Sequence, residues 1–171
     1  MLRNKKENKY SQKGFTLIEL LVVIAIISLL SSIALIAFQS ARAKSRNVKR
    51  IGDMTQMNTG LELYFASNKG YPSSVSGLPS GLAPQYASVI PASPAPSDGV
   101  CDGLSHGAAC VSADPSCTGI PANSYYYVAL GAGYTGSSGI VYPSYTYYFC
   151  LGDLTGNFAA GERLLTPSGV K

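Results

Sequence analysis

The stretch KGFTLIELLVVIAIISLL, residues 13–30, places one carboxylate, Glu19, inside an otherwise apolar run. A charge there is costly in lipid and needs an explicit partner. From Phe15 to Phe38 only Thr16, Glu19 and three serines interrupt the apolar residues. A helix of roughly twenty residues crosses the hydrocarbon core of a bilayer, so this run is long enough to span it.

The charges on either side do not orient the span. Ahead of it lie Arg3, Lys5, Lys6, Lys9 and Lys13 with one acid, Glu7; behind it lie Arg42, Lys44, Arg46, Lys49 and Arg50. The rule that cationic loops stay in the cytoplasm therefore gives a tie. After Gly14 the chain balances at eight basic and eight acidic residues, so the formal net charge of +4 belongs to the leading arm and argues for no nucleic-acid partner. The cysteines break the tie. Cys101, Cys110, Cys117 and Cys150 lie among Gly, Ser, Pro and Tyr without a Cys-x-x-Cys pair, and the chain has one histidine, His106. That pattern reads as disulfides in an oxidising exterior rather than as a zinc site, and it puts the arm in the cytoplasm.

Three readings of the run follow. It is a plain signal-anchor, or a signal peptide cut near Ala41-Arg42-Ala43, for which it is too long and carries an unwelcome Glu19. The third reading comes from Lys13-Gly14-Phe15-Thr16-Leu17-Ile18-Glu19, which resembles the class III signal of type IV pilins and type II secretion pseudopilins. The resemblance is close over residues 13–30 and looser to Pro72. It implies cleavage between Gly14 and Phe15 by a prepilin peptidase, which also methylates Phe15 using S-adenosylmethionine. It further implies pairing of the Phe15 ammonium with Glu19 of the neighbouring subunit in a helical polymer. Glycine suits the cut because an extended backbone without a side chain enters a cleft easily. The family's partners are an inner-membrane assembly platform, a cytoplasmic ATPase and other pilins. Two departures stand out: Ser28 and Ile36 occupy places where many type IV pilins have helix-breaking glycine and proline. Inferences about a melted segment therefore do not carry over.

Past the basic cluster, Ile51, Met54, Met57, Leu61, Tyr64 and Phe65 recur at helical spacing. With no proline before Pro72, the pattern predicts one helix of about 54 residues, roughly 80 Å long, capped by Gly70 and stopped by Pro72. The segment LELYFASNKGYP resembles the end of that helix in pseudopilins. Two segments then read as strands, SYYYVAL (residues 124–130) and SYTYYFCL (residues 144–151), with a short edge at residues 140–142. Alternation puts Tyr125 and Tyr127 on one face and Tyr126, Val128 and Leu130 on the other, leaving open which the helix covers.

The expected fold is α+β, a long N-terminal helix packed on a small antiparallel sheet with disulfide-pinned loops. Its divisions are a cleaved leader (1–14), a membrane and assembly helix (15–38), its extracytoplasmic continuation (39–69) and a globular head (70–171). Four cysteines allow three pairings. A bridge from Cys110 or Cys117 to Cys150 would tie the loop to the last strand, and Cys101 to Cys110 would close a small loop. Asp98, Asp102, Asp114 and Asp153 read as turn residues before they read as calcium ligands, since no EF-hand spacing is present, and no metal or other cofactor is expected. Ser105, His106 and Asp102 sit too close along one loop to form a triad, so no enzyme is expected. The cluster at Arg42 to Arg50 would face lipid phosphates, acidic groups of neighbouring subunits, or solvent. The head has two basic residues against five acids, which disfavours direct nucleic-acid binding. The expected protein is a pilus or pseudopilus subunit in a single-pass membrane form, then in a surface or periplasmic fibre. The alternative is a signal-anchored extracellular binding domain that does not polymerise.

Overall fold

The computed structural model describes residues 14–101 and 123–171. Its contacts divide the chain into two units, Met1–Ser40 and Ala41–Lys171. One helix, α1 (Leu17–Asn68), contributes to both.

The expected helical face is the buried one. Met54, Met57 and Leu61 are fully buried and Tyr64 nearly so, with Ile51 and Phe65 packed at the margin. The helix ends differently from the glycine-cap expectation. Lys69, at φ 64°, adopts the left-handed conformation, and its N–H donates to the Phe65 carbonyl at 2.8 Å. Gly70 serves another purpose: a Cβ there would lie 2.4 Å from Val141 Cγ2, so glycine lets the chain pass close beneath Val141.

Two strands, β1 (Ser74–Val75) and β2 (Leu78–Pro79), form a hairpin. Its turn residues Ser76 and Gly77 both have positive φ, as a two-residue type I′ turn requires. The main sheet contains β3 (Tyr126–Leu130), β6 (Ser144–Leu151), β7 (Gly161–Thr166) and β8 (Gly169–Val170), antiparallel and adjacent in that order. Between β3 and β6 a separate hairpin pairs β4 (Tyr134–Gly136) with β5 (Gly139–Val141). The edge of β3 is occupied by the first hairpin, through Tyr127 N–H to the Gly77 carbonyl at 2.8 Å. The sequence reading missed β7 and β8. Glu162, Arg163 and the two leucines have weak strand preference, and their pairing with β6 decides the outcome.

Register settles which face the helix covers. Tyr127 opposes Tyr147, which opposes Leu165, and all three join Tyr125, Tyr145 and Phe149 in the core with α1. Tyr126, Val128, Tyr148 and Leu164 form a smaller cluster on the reverse face.

The disulfide joins Cys101 to Cys150, with Cα atoms 5.9 Å apart. Neither expected pairing, Cys110 or Cys117 with Cys150, nor Cys101 with Cys110, is the one formed, because Cys101 is brought to β6 by backbone contact. The Val100 N–H donates to the Gly152 carbonyl at 3.3 Å. Closing 49 residues of chain stabilises by about 4 kcal/mol in the chain-entropy account. Cys110 and Cys117 lie outside the described residues, as do Asp102, Ser105, His106 and Asp114.

Candidate functional site

The first half of α1 is apolar on every side. No part of its most hydropathic window is buried within the chain, and it is the one helix among the described residues long and apolar enough to cross a membrane. A helix without a polar stripe is suited to lipid or to other helices, not to the flank of a soluble domain. Ser28 and Ser32 do not contradict this. Their hydroxyls donate to the carbonyls of Ile24 (2.7 Å) and Leu29 (2.8 Å), satisfying themselves on the helix backbone.

At the head of this surface Glu19 meets Thr16. The Thr16 N–H and hydroxyl both donate to Glu19 Oε2, at 2.8 and 2.6 Å, while the Glu19 N–H donates to the Thr16 hydroxyl at 3.3 Å. This is a capping box, in which side chains at the helix start satisfy amides that the helix leaves open. Its signature, Thr-x-x-Glu, is legible at residues 16–19, and the sequence reading passed over it by seeking a partner for Glu19 only in another subunit. Glu19 Oε1 takes no hydrogen bond among the described residues, so one oxygen stays available. Phe15 is exposed, and a Cβ built on Gly14 would meet nothing within 4 Å.

A second cluster lies in the head. Asp98 is held by two guanidinium groups from successive turns of α1. Arg46 Nε donates to Asp98 Oδ2 at 2.8 Å and Arg46 Nη2 pairs with Oδ1, while Arg50 Nη1 reaches Oδ2 at 3.2 Å. Arg50 is fully buried and also donates to Asn47 Oδ1 (2.6 Å), Asn123 Oδ1 (2.7 Å) and the Pro94 carbonyl (3.1 Å). Asn47 Oδ1 in turn accepts from the Gly152 N–H. The Arg46 hydrogen bonds, foremost, and those from Arg50 hold the Asp98 carboxyl below its ordinary range against the opposing effect of burial.

This corrects the reading of the basic cluster. Arg46 and Arg50 face an acid of their own chain, and Lys49 pairs with Asp53 at 2.8 Å, leaving Arg42 and Lys44 exposed. Asp98 is thus no solvated turn residue, whereas Asp153 Oδ1 accepts from the Leu154 N–H in an exposed turn. Among the described residues no group of three His, Cys, Asp or Glu side chains could hold a metal ion.

The chain thus combines an apolar helix headed by Gly-Phe-Thr-x-x-Glu with a small α+β head tied by a disulfide. Residues 9–35 match the family described as "Prokaryotic N-terminal methylation motif". The chain is 33% identical over 72 residues to the type II secretion system core protein G of Pectobacterium carotovorum, covering 42% of this chain and 46% of that protein. It is 35% identical over 69 residues to the protein of the same name in Escherichia coli K12 (40% and 48%). It is 46% identical over 59 residues to fimbrial protein Q of Moraxella bovis (34% and 38%). The match spans less than half the length of each of these relatives. No solved structure matches. Over its N-terminal part, the chain is thus similar to type II secretion core proteins and to type IV pilins.

Proposed function

We propose that this chain is a structural subunit of a type IV pilus or pseudopilus, cut after Gly14, methylated on Phe15 and polymerised through α1. The observation that carries this reading is the apolar first part of α1, exposed among the described residues and headed by a carboxylate with one oxygen unengaged among them. Lipid covers that surface before assembly and the same helix of other subunits covers it afterwards. Since lipid is as apolar as leucine, packing and charge pairing decide the register of the fibre. The Phe15 ammonium released by cleavage would meet Glu19 Oε1 of the next subunit, while Oε2 keeps the helix start capped.

Gly14 supports the same scheme. The chain has room for a side chain there and does not hold Gly14 at positive φ, so the fold makes no demand for glycine. The demand is assigned to the prepilin peptidase. The subunit would start as a single-pass protein with a cytoplasmic N-terminus and end in an extracellular or periplasmic fibre. An assembly platform, an ATPase and other pilins would act as its partners.

Mass spectrometry of the N-terminus tests the processing. The expected first residue is N-methylated Phe15; an intact Met1 or a start at Lys44 sinks the reading. Glu19→Ala is expected to leave cleavage intact and abolish fibres seen by electron microscopy. Normal fibres from that variant would remove the charge pair from the mechanism.

A further inference from the structure

Where α1 ends, Tyr64 and Asn68 form one wall of a cleft of about 370 Å³. Ser73, Ser80, Gln85 and Tyr86 come from the segment that follows, and Ser138 from the turn between β4 and β5. The volume falls within the range of small-molecule sites. Among the described residues no Lys, Arg, Asp or Glu lines it.

The cleft is built on a fixed base. Asn68, 1% exposed, donates through Nδ2 to the Tyr64 carbonyl at 3.1 Å and to the Tyr86 hydroxyl at 3.3 Å. The rings of Tyr64 and Tyr86 meet edge to face with centroids 5.1 Å apart. Since the Tyr86 hydroxyl accepts from Asn68, its own proton is left without an acceptor among the described residues. The hydroxyls of Ser73, Ser80 and Ser138 and the Gln85 carboxamide likewise make no hydrogen bond among them. Donors and acceptors thus converge on one concavity with two aromatic rings and, among the described residues, no charge.

That combination selects a ligand class. An ionic ligand would lose water and gain no opposite charge, and a purely apolar one would leave the hydroxyls and amides unpaired. We propose that this cleft binds a neutral sugar, with hydroxyls that meet the Gln85 carboxamide, the Tyr86 hydroxyl and the serines while the tyrosine rings supply apolar area for its C–H surface. The property belongs to the head of the single chain and stands whether or not the chain polymerises.

The test titrates the full chain, kept monomeric in a sugar-free detergent, with glucose, galactose and N-acetylglucosamine by saturation-transfer NMR. Glucuronate and glucosamine serve as the charged counterparts. Saturable binding of at least one neutral sugar is expected, at least about tenfold tighter than its charged counterpart. Gln85→Ala, an exposed position, should weaken it by about fivefold to tenfold. Ser138→Trp should abolish it by filling the cleft, with the melting curve of either variant unchanged. The proposal is overturned if no neutral sugar binds saturably, if charged sugars bind as well, or if both variants bind like the parent. Because the readout is taken on monomer, its failure leaves the fibre experiments untouched.

Discussion

Residues 17–38 and 41–68 are parts of one helix with opposite relations to their surroundings. In the first, Leu17, Leu29 and Ile33 stand exposed in company with nearly every neighbour; in the second, Met54, Met57 and Leu61 are sealed from solvent. The difference lies in periodicity. Apolar residues all round demand cover from lipid or other chains, whereas apolar residues at steps of three and four specify one face and leave the rest to water. The second part also places its charges by face, since Arg46 and Arg50 point toward Asp98 while Arg42 and Lys44 stay outside. Helix propensity is common to both parts; where the partner resides is not.

The largest break in that contrast comes from removing the acid that the second part turns toward. Asp98→Ala would strand the buried Arg50 charge, a loss on the order of 3–5 kcal/mol for a pair of this kind. Thermal or urea unfolding of the full chain in detergent, followed by the near-ultraviolet signal of its tyrosines, measures it. The pH dependence has a definite sign. The folded Asp98 carboxyl is held below its unfolded value, so its contribution is complete above about pH 4 and disappears as pH falls through the lowered native value. Asp98→Asn should flatten that part of the acid limb, and an unaltered limb would show that the pair contributes nothing there.

A smaller effect compares two leucines directly. Leu61→Ala empties a fully buried site and should cost about 3 kcal/mol, while Leu29→Ala, at a side chain 65% exposed, should leave head unfolding unchanged. In the proposed fibre the reverse should hold: truncating Leu29 should weaken resistance to detergent more than it affects the head. Equal effects of the two variants on head unfolding would erase the distinction between the two parts of α1.

Most of this division was legible because period and composition are local. The apolar run, the buried face from Ile51 to Phe65 and the strands around Tyr127 and Tyr147 needed only spacing to be seen. What escaped depended on chain path. Cys150 takes Cys101 because the segment carrying Cys101 is laid against Gly152, a closeness that no spacing encodes. Likewise Arg50 is buried because Asp98, Pro94 and Asn123 arrive from elsewhere. The strand at Gly161–Thr166 is specified by its neighbour, not by Glu162 or Arg163. The capping box was a different failure, since Thr16 and Glu19 are local and their spacing carried the signal.

The smallest predicted effect separates two tyrosines that the sequence leaves equivalent. Tyr145 and Tyr147 are both fully buried on the helix-facing side of β6. The Tyr145 hydroxyl donates to Asn58 Oδ1 at 2.8 Å, joining sheet to helix, as Tyr125 does through Asp53 at 2.9 Å. The Tyr147 hydroxyl is buried with no partner among the described residues. Tyr145→Phe should therefore cost about 1 kcal/mol and also leave the Asn58 carboxamide short of a donor. Tyr147→Phe removes an oxygen that was desolvated without return, so unfolding should stay within about 0.5 kcal/mol of the parent or shift toward greater stability. A loss at Tyr147 matching that at Tyr145 would mean that this hydroxyl has a partner, such as a buried water, and the two tyrosines would then anchor the sheet alike.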